Sequence, residues 1–447
     1  MGGERWRGRL GPAVAVAPGA RVDRFEIFFD LVFVFSFFII VRAAASDVSA
    51  HTLLHGLLVL ALLWWIWILH SVVATRVRLG EGFVPVVMVI GMAALFAFAL
   101  AVPQTIVAHE TGMAGPATVA LSYLVIRVVH LWVYGRVTRD QPGKSRDLHK
   151  LTPELLVSTG LLLAAALLPP LIDDSGWSAL ARDGILVAVV LTQYATGLLV
   201  GVEHGAVPSA EHWTERYDLI LMIALGESVL SVGLGTSTNL GGAAVNWPAI
   251  TGGSIGIILA ATLWWLHFDM VGPAARIALH ATTGRARGTM ARDAYAYLFL
   301  PMIAGLIMLS LGAEEILKVL LDPALLAGAK AHASGVLLLY GGVICYLLGD
   351  MAFQARTLRT LTWARLGTVL LIAALIPVGL RVSALLALIL VTASCLALVT
   401  WEVVWMADAR RALRDVVFAE RIEHERREVE IRARWHDDPP QSGPPAA

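Results

Sequence analysis

The feature that most constrains this chain is an apolar run, repeated along its length, that is long enough to cross a lipid bilayer. A window of about 19 residues finds such runs throughout the sequence. Twelve are placed at 25–43, 53–74, 83–102, 116–137, 152–172, 179–201, 214–235, 247–270, 291–312, 331–355, 362–380 and 382–406. In hydrocarbon every backbone N–H and C=O must be bonded within the protein, so runs of this length must be helices. The sequence therefore predicts an all-α integral membrane protein of about 12 transmembrane helices. Composition agrees, with 57% hydrophobic and 15% charged residues, against roughly 45–50% and 25% in soluble domains. Lys plus Arg equals Asp plus Glu at 34 each, which leaves no basic surplus for nucleic acid. Cys345 and Cys395 lie in separate apolar runs and form neither a disulfide framework nor a thiolate metal pattern. The first run carries acids and no small-residue cleavage site, so it reads as a retained helix rather than a signal peptide.

Basic residues orient the spans. With a cytoplasmic N-terminus, 28 Lys and Arg fall on the cytoplasmic side and 5 on the other, and Arg127 is left inside a span. One missed helix would invert half the loops and erase that bias. The expectation is an inner (plasma) membrane protein with both termini cytoplasmic. Residues 1–24 form a cytoplasmic segment, 25–201 a first six-helix half and 202–406 a second. A charged cytoplasmic helix follows at 407–438, then a disordered tail at 439–447. Two correspondences suggest that the halves are repeats. Asp23-Arg24-Phe25-Glu26-Ile27 matches Glu215-Arg216-Tyr217-Asp218-Leu219, and Leu63-Trp64-Trp65 with His70 matches Leu263-Trp264-Trp265 with His267. Six spans per half would relate them by an axis along the membrane normal.

Ionisable groups at membrane depth are costly and mark function by default. Glu26 and Asp30 are four residues apart and so share one helix face. Arg127, His130 and Tyr134 share a face of the fourth span. A buried guanidinium needs a carboxylate partner, and Asp30 is the expected one. Glu227 sits near the middle of the seventh span. His267 and Asp269 form a candidate proton-sharing pair, with Glu314, Glu315 and Asp350 as further acids in later spans. Glu203, His204, His212, Glu215 and Glu227 supply imidazole and carboxylate ligands, from which His212, Glu215 and Glu227 make a candidate metal set. No dedicated metal motif matches, and no cofactor is predicted.

Several of these segments resemble the bacterial low temperature requirement A family. Phe25-Glu26-Ile27-Phe28-Phe29-Asp30-Leu31-Val32-Phe33-Val34 is similar to its E-L-F-F-D-L-V-F-V opening. His212-Trp213-Thr214-Glu215-Arg216 with Ile223-Ala224-Leu225-Gly226-Glu227-Ser228 resembles its H-x-x-E-R and I-x-L-G-E-S signatures. Trp264-Trp265-Leu266-His267-Phe268-Asp269 and Tyr295-Ala296-Tyr297-Leu298-Phe299-Leu300-Pro301 resemble two more. The resemblance implies multi-pass membrane residence and a link to growth in the cold, but no reaction. Arg24-x-x-x-Phe28-x-Asp30 is also similar to the R-x-x-x-F-S-D signature of lysosomal and bacterial potassium channels, with Phe29 in place of the Ser.

Three classes of function fit these residues. A transporter or channel would carry a small ion or proton along Glu26, Asp30, Arg127, His130, Glu227, His267 and Asp269, with Arg24, Arg216 and Glu314 as additional candidates. An intramembrane enzyme would converge His212, Glu215 and Glu227 in a cavity, with or without a metal. A structural or sensory protein would need only helix pairing. The expected partners are the lipid bilayer and another copy of the chain in a homo-oligomer.

Overall fold

A computed structural model describes residues 22–45, 48–106, 113–138, 145–169, 175–199, 207, 209–239, 247–321 and 328–437. The N-terminal 21 residues, the tail at 439–447, and Glu203 and His204 lie outside them. The described residues are helical, joined by short turns, with one isolated β-bridge between Lys330 and Ser383. The first half holds α1 (Arg24–Ala44), α2 (Ala50–Ala74), α3 (Val84–Ala101), the one-turn α4 (Pro103–Ile106), α5 (Ala114–Thr138), α6 (Ser145–Leu167) and α7 (Ser175–Leu199). The second opens with α8 (Ala210–Asn239) and α9 (Trp247–Leu266), which runs through a π-helical turn at His267–Val271 into α10 (Gly272–Ala281). Then come α11 (Gly284–Met290), a second π-helical turn at Ala291–Tyr297, α12 (Phe299–Leu321), α13 (Ala333–Leu358), α14 (Trp363–Gly379), α15 (Ala384–Trp405) and α16 (Ala407–Asp437).

A helix overlies each of the twelve predicted runs. Among the described residues eight helical stretches are long and apolar enough to cross a membrane, and shorter apolar helices cover Leu151–Leu167 and Trp363–Gly379. Local chemistry sets several ends. Ser49 Oγ accepts from Thr52 N at 3.1 Å and Ser209 Oγ from His212 N at 3.2 Å, so each hydroxyl satisfies an N–H that the first helical turn leaves open. Pro85 enters α3 in the first turn, where a missing N–H costs nothing.

The outside of the molecule is apolar. Leu156, Leu191, Leu230 and Leu370 are each more than 60% exposed, an arrangement suited to lipid and unfavourable in water. The inside is mixed. α2 is the most enclosed of the apolar helices, with 83% of its most hydrophobic stretch buried, and it carries Trp64, Trp67, His70 and Ser71 into the centre. Residues 407–437 form α16. Its first turns are tied to the body where Arg410 and Arg414 clasp Asp269 at 2.6 and 2.9 Å.

Helices α12 and α13 pack backbone to backbone. A Cβ on Gly305 would lie 2.6 Å from both the Gly342 carbonyl oxygen and Tyr346 N, and one on Gly342 would lie 2.7 Å from the Gly305 carbonyl. Small residues let helices approach this closely where lipid supplies no hydrophobic drive. Gly305→Ala and Gly342→Ala should each cost about 1–3 kcal/mol through overpacking, read as a lower melting temperature of the purified protein in detergent. Gly341→Ala, whose Cβ would meet only the mobile Met308 methyl at 3.2 Å, should melt like the parent. Equal melting of all three variants would contradict the close approach.

Candidate functional site

Three pairs of residues, each four apart on its own helix, meet at one buried point. They are Glu26 and Asp30 on α1, Trp67 and Ser71 on α2, and His212 and Arg216 on α8. The i, i+4 spacing places both members of each pair on one face, and the Ser209 cap sets where α8 begins. Arg216 is completely buried and forks between the acids: Nη1 donates to Glu26 Oε2 at 2.6 Å and Nη2 to Asp30 Oδ1 at 2.8 Å. Its Nε donates to Ser71 Oγ at 3.3 Å. Trp67 donates from Nε1 to the same Asp30 oxygen at 2.8 Å, and its ring lies 5.6 Å beneath the guanidinium. His212 Nε2 stands 3.0 Å from Glu26 Oε2. The second Asp30 oxygen, Oδ2, is buried and has no hydrogen-bond partner in the protein. Beside this centre His70 stacks on Phe29 with ring centres 3.5 Å apart, and its Nδ1 lies 3.3 Å from His130 Nε2 on α5.

Two further buried networks flank it. Arg127 on α5 donates to Glu154 Oε2 on α6 at 2.6 Å, and the other Glu154 oxygen accepts from Tyr123 and Ser158, both at 3.0 Å. In the second half His267 Nδ1 is 2.7 Å from Asp350 Oδ1. Arg365 on α14 donates to the other Asp350 oxygen, forks onto Glu402 of α15 at 2.7 and 3.0 Å, and reaches the Leu266 carbonyl at 2.8 Å. That carbonyl stands immediately before the π-helical turn, where the bonding pattern of the helix changes. Such turns are found disproportionately at functional sites.

These contacts correct several expectations. Arg127 pairs with Glu154 and not with Asp30, whose cation is Arg216. His267 pairs with Asp350 and not with Asp269, which is held by Arg410 and Arg414. Arg216 and Arg365 are both buried in networks. Glu227 lies eleven residues beyond Arg216 on α8, roughly 17 Å along the axis, so it does not join Glu26 and Asp30. The proposed metal set separates for the same reason. His212 faces Glu26, Glu215 accepts from Val22 N at 3.1 Å, and Glu227 lies far along the helix. Among the described residues no group of three His, Cys, Asp or Glu is placed to hold a metal. Arg24 is exposed at the start of α1, and Glu314 meets Lys318 one turn away at 3.3 Å.

Sequence reasoning missed Glu154, Trp67, Ser71, Arg365 and Glu402. Glu154 follows Pro153 at the head of a span and reads there as an ordinary first-turn acid. Arg365 has the same disguise at the start of α14. The signal that was available is the absence of any other acid within reach of Arg127 on its own helix, since an intramembrane arginine requires one.

The fold and these networks define a multi-pass helical membrane protein with a charged, hydrogen-bonded interior. Residues 21–400 match the family described as bacterial low temperature requirement A protein (LtrA), and the chain belongs to that family. It is 25% identical over 400 residues to an uncharacterized protein of Rhizobium meliloti (strain 1021), a match covering 87% of this chain and 90% of that one. No solved structure matches the chain significantly.

Removing one partner of a buried pair strands the other charge, at a cost of about 3–5 kcal/mol. Replacing both by apolar residues removes that penalty. Arg127→Met should therefore lower the melting temperature sharply, and Arg127→Met with Glu154→Met should recover most of the loss. A double variant as unstable as the single one would show that the pair is not the coupled unit described.

Proposed function

We propose that this protein is a membrane transporter whose proton-coupling centre is the group formed by Glu26, Asp30, Arg216 and His212. One observation carries the reading: two carboxylates and one guanidinium are enclosed together, leaving a net charge of −1 until a proton or cation joins them. An uncompensated charge is expensive at membrane depth. A guanidinium does not lose its proton, so the compensating proton goes to His212, to a carboxylate, or leaves as a cation takes its place. The orphaned Asp30 Oδ2 offers an acceptor for it. Exchange of proton for cation, or movement of α8 relative to α1, would alter the same bonds, and that is the coupling a transporter needs.

The architecture we attach to this reading is twelve spans in two six-helix halves, 25–201 and 202–406, with both termini cytoplasmic. The basic asymmetry supports it. So does a charge-swapped correspondence between the halves. The fourth and fifth spans of the first half pair as Arg127 with Glu154, and those of the second pair as Asp350 with Arg365. Single cysteines at Ser175 and Thr238, in a background with Cys345 and Cys395 replaced by Ser, should react with a membrane-impermeant maleimide added outside intact cells. Reaction at either site only after the cells are opened would break the topology.

Function is tested in proteoliposomes. The parent protein should dissipate an imposed pH gradient faster than empty vesicles, and Asp30→Asn and Glu26→Gln should each slow it at least about tenfold, equivalent to 1.4 kcal/mol. Melting curves on the same preparations show whether the variants are folded. Intact flux with reduced melting temperature would assign the acids a structural role, and no flux by the parent would reject the coupling centre.

A further inference from the structure

A cavity of about 200 Å³ lies beside the Arg216 centre, among α2, α5, α7, the start of α8 and the π-helical turn before α12. Its described lining contains Arg76, Arg127, Arg292 and His130, and no carboxylate. Five nitrogen atoms on its lining residues are buried without a hydrogen-bond partner in the protein: Nε1 of Trp65 and of Trp213, Nε of Arg76 and of Arg127, and Nδ1 of His130. Trp65, Arg127, His130 and Trp213 are each at most 3% exposed. Indole and guanidinium N–H groups can only donate, and the imidazole nitrogen donates in one of its tautomers. Buried donors left open cost free energy, and native proteins rarely collect them in one place. The described lining holds three guanidinium groups and no carboxylate, which favours a ligand that brings acceptors.

The charge balance narrows the ligand further. Arg127 is neutralised by Glu154 at 2.6 Å, whereas Arg292 shares Asp293 with Arg356, at 2.7 and 2.9 Å. Arg76 forms no ion pair among the described residues, and its guanidinium lies 5.4 Å from the Tyr134 ring centre. Among the described residues the lining carries a positive surplus, which suits an anion. Ile68, Leu69 and Val72 make the rest of the wall apolar, so the anion needs an apolar body. A cavity of about 150 Å³ takes up benzene, which limits that body to roughly one ring or a short chain. We propose that this cavity binds a small amphipathic monocarboxylate, held by Arg76 within a wall that includes Trp65, Trp213 and His130. The proposal deepens the transport reading by naming the class of cargo. It rests on that reading for movement, and binding can be measured without it.

The test is calorimetric titration of the full-length protein in detergent with benzoate, benzamide and inorganic phosphate. Benzoate should bind saturably with one site per chain. Benzamide, its uncharged isostere, should bind at least about tenfold more weakly, the worth of one charge-assisted hydrogen bond. Phosphate should give no saturable heat. Arg76→Gln should weaken benzoate by a similar factor, and Val72→Phe, which fills the cavity from an apolar wall, should abolish binding while Arg76 is still present. The proposal is overturned if benzoate shows no saturation at about 1 mM, or if benzamide equals it. Phosphate binding in its place, or affinity unchanged in both variants, would overturn it as well. Benzoate binding by a protein that dissipates no pH gradient would leave this site standing and reject the coupling centre. Gradient dissipation without benzoate binding would do the reverse.

Discussion

A guanidinium sealed in an apolar interior cannot shed its proton, so the protein around Arg216 has to be built to its charge. Glu26 and Asp30 meet it from α1 and Ser71 and the Trp67 ring from α2, while His212 on its own helix contacts Glu26. Each contact has a narrow geometry, and together they hold α1, α2 and α8 at one height and one rotation. Apolar packing would not do this, because lipid tails are as good a neighbour for leucine as another helix is. The arginine and its acids therefore act as a register lock between α1 and α8.

The same reasoning extends to the flanking networks. Arg127 with Glu154 ties α5 to α6, and Arg365 with Asp350 and Glu402 ties α13, α14 and α15. Buried ion pairs contribute little net stability once desolvation is counted, yet they penalise every arrangement that separates them. The contact between α12 and α13 uses the opposite device. Glycines remove the side chains altogether and let backbone meet backbone, where dispersion over many atoms replaces a few strong bonds. A scaffold made of both has rigid helix pairs and charged joints between them, and the joints are where protonation can change the structure. The donor-lined cavity lies against one such joint, with Arg127 and His130 facing it and His130 also meeting His70 beside the Arg216 centre.

Much of the architecture was legible because bilayer thickness sets a length and backbone chemistry sets a conformation. Helices overlie the twelve apolar runs, and both members of each pair that builds the Arg216 centre are four residues apart in the chain. Glu26, Asp30, His212 and Arg216 were named from sequence for sound reasons. The pairings were not. The acid assigned to Arg127 was the one most conspicuous in the sequence, whereas the true partner, Glu154, stands in the first turns of the next span beside a proline and looks ordinary. His267 was given the acid two residues away, although residues two apart do not face one another on a helix. The π-helical turn through His267 left no clear mark in the residue pattern.

What the sequence determines by itself is set by local rules: which stretches must be helices, which faces carry charge, and the bias of basic residues from which an orientation is read. Each follows from the cost of placing a peptide group or a charged side chain in hydrocarbon, a cost that depends on the residue and its near neighbours. What only the tertiary structure decided is which charge meets which. Helix rotation and neighbour choice make that decision, and they depend on packing across the whole bundle. An arginine's demand for a carboxylate can be read from one residue, but the carboxylate that answers it is 27 positions away for Arg127 and 186 and 190 for Arg216.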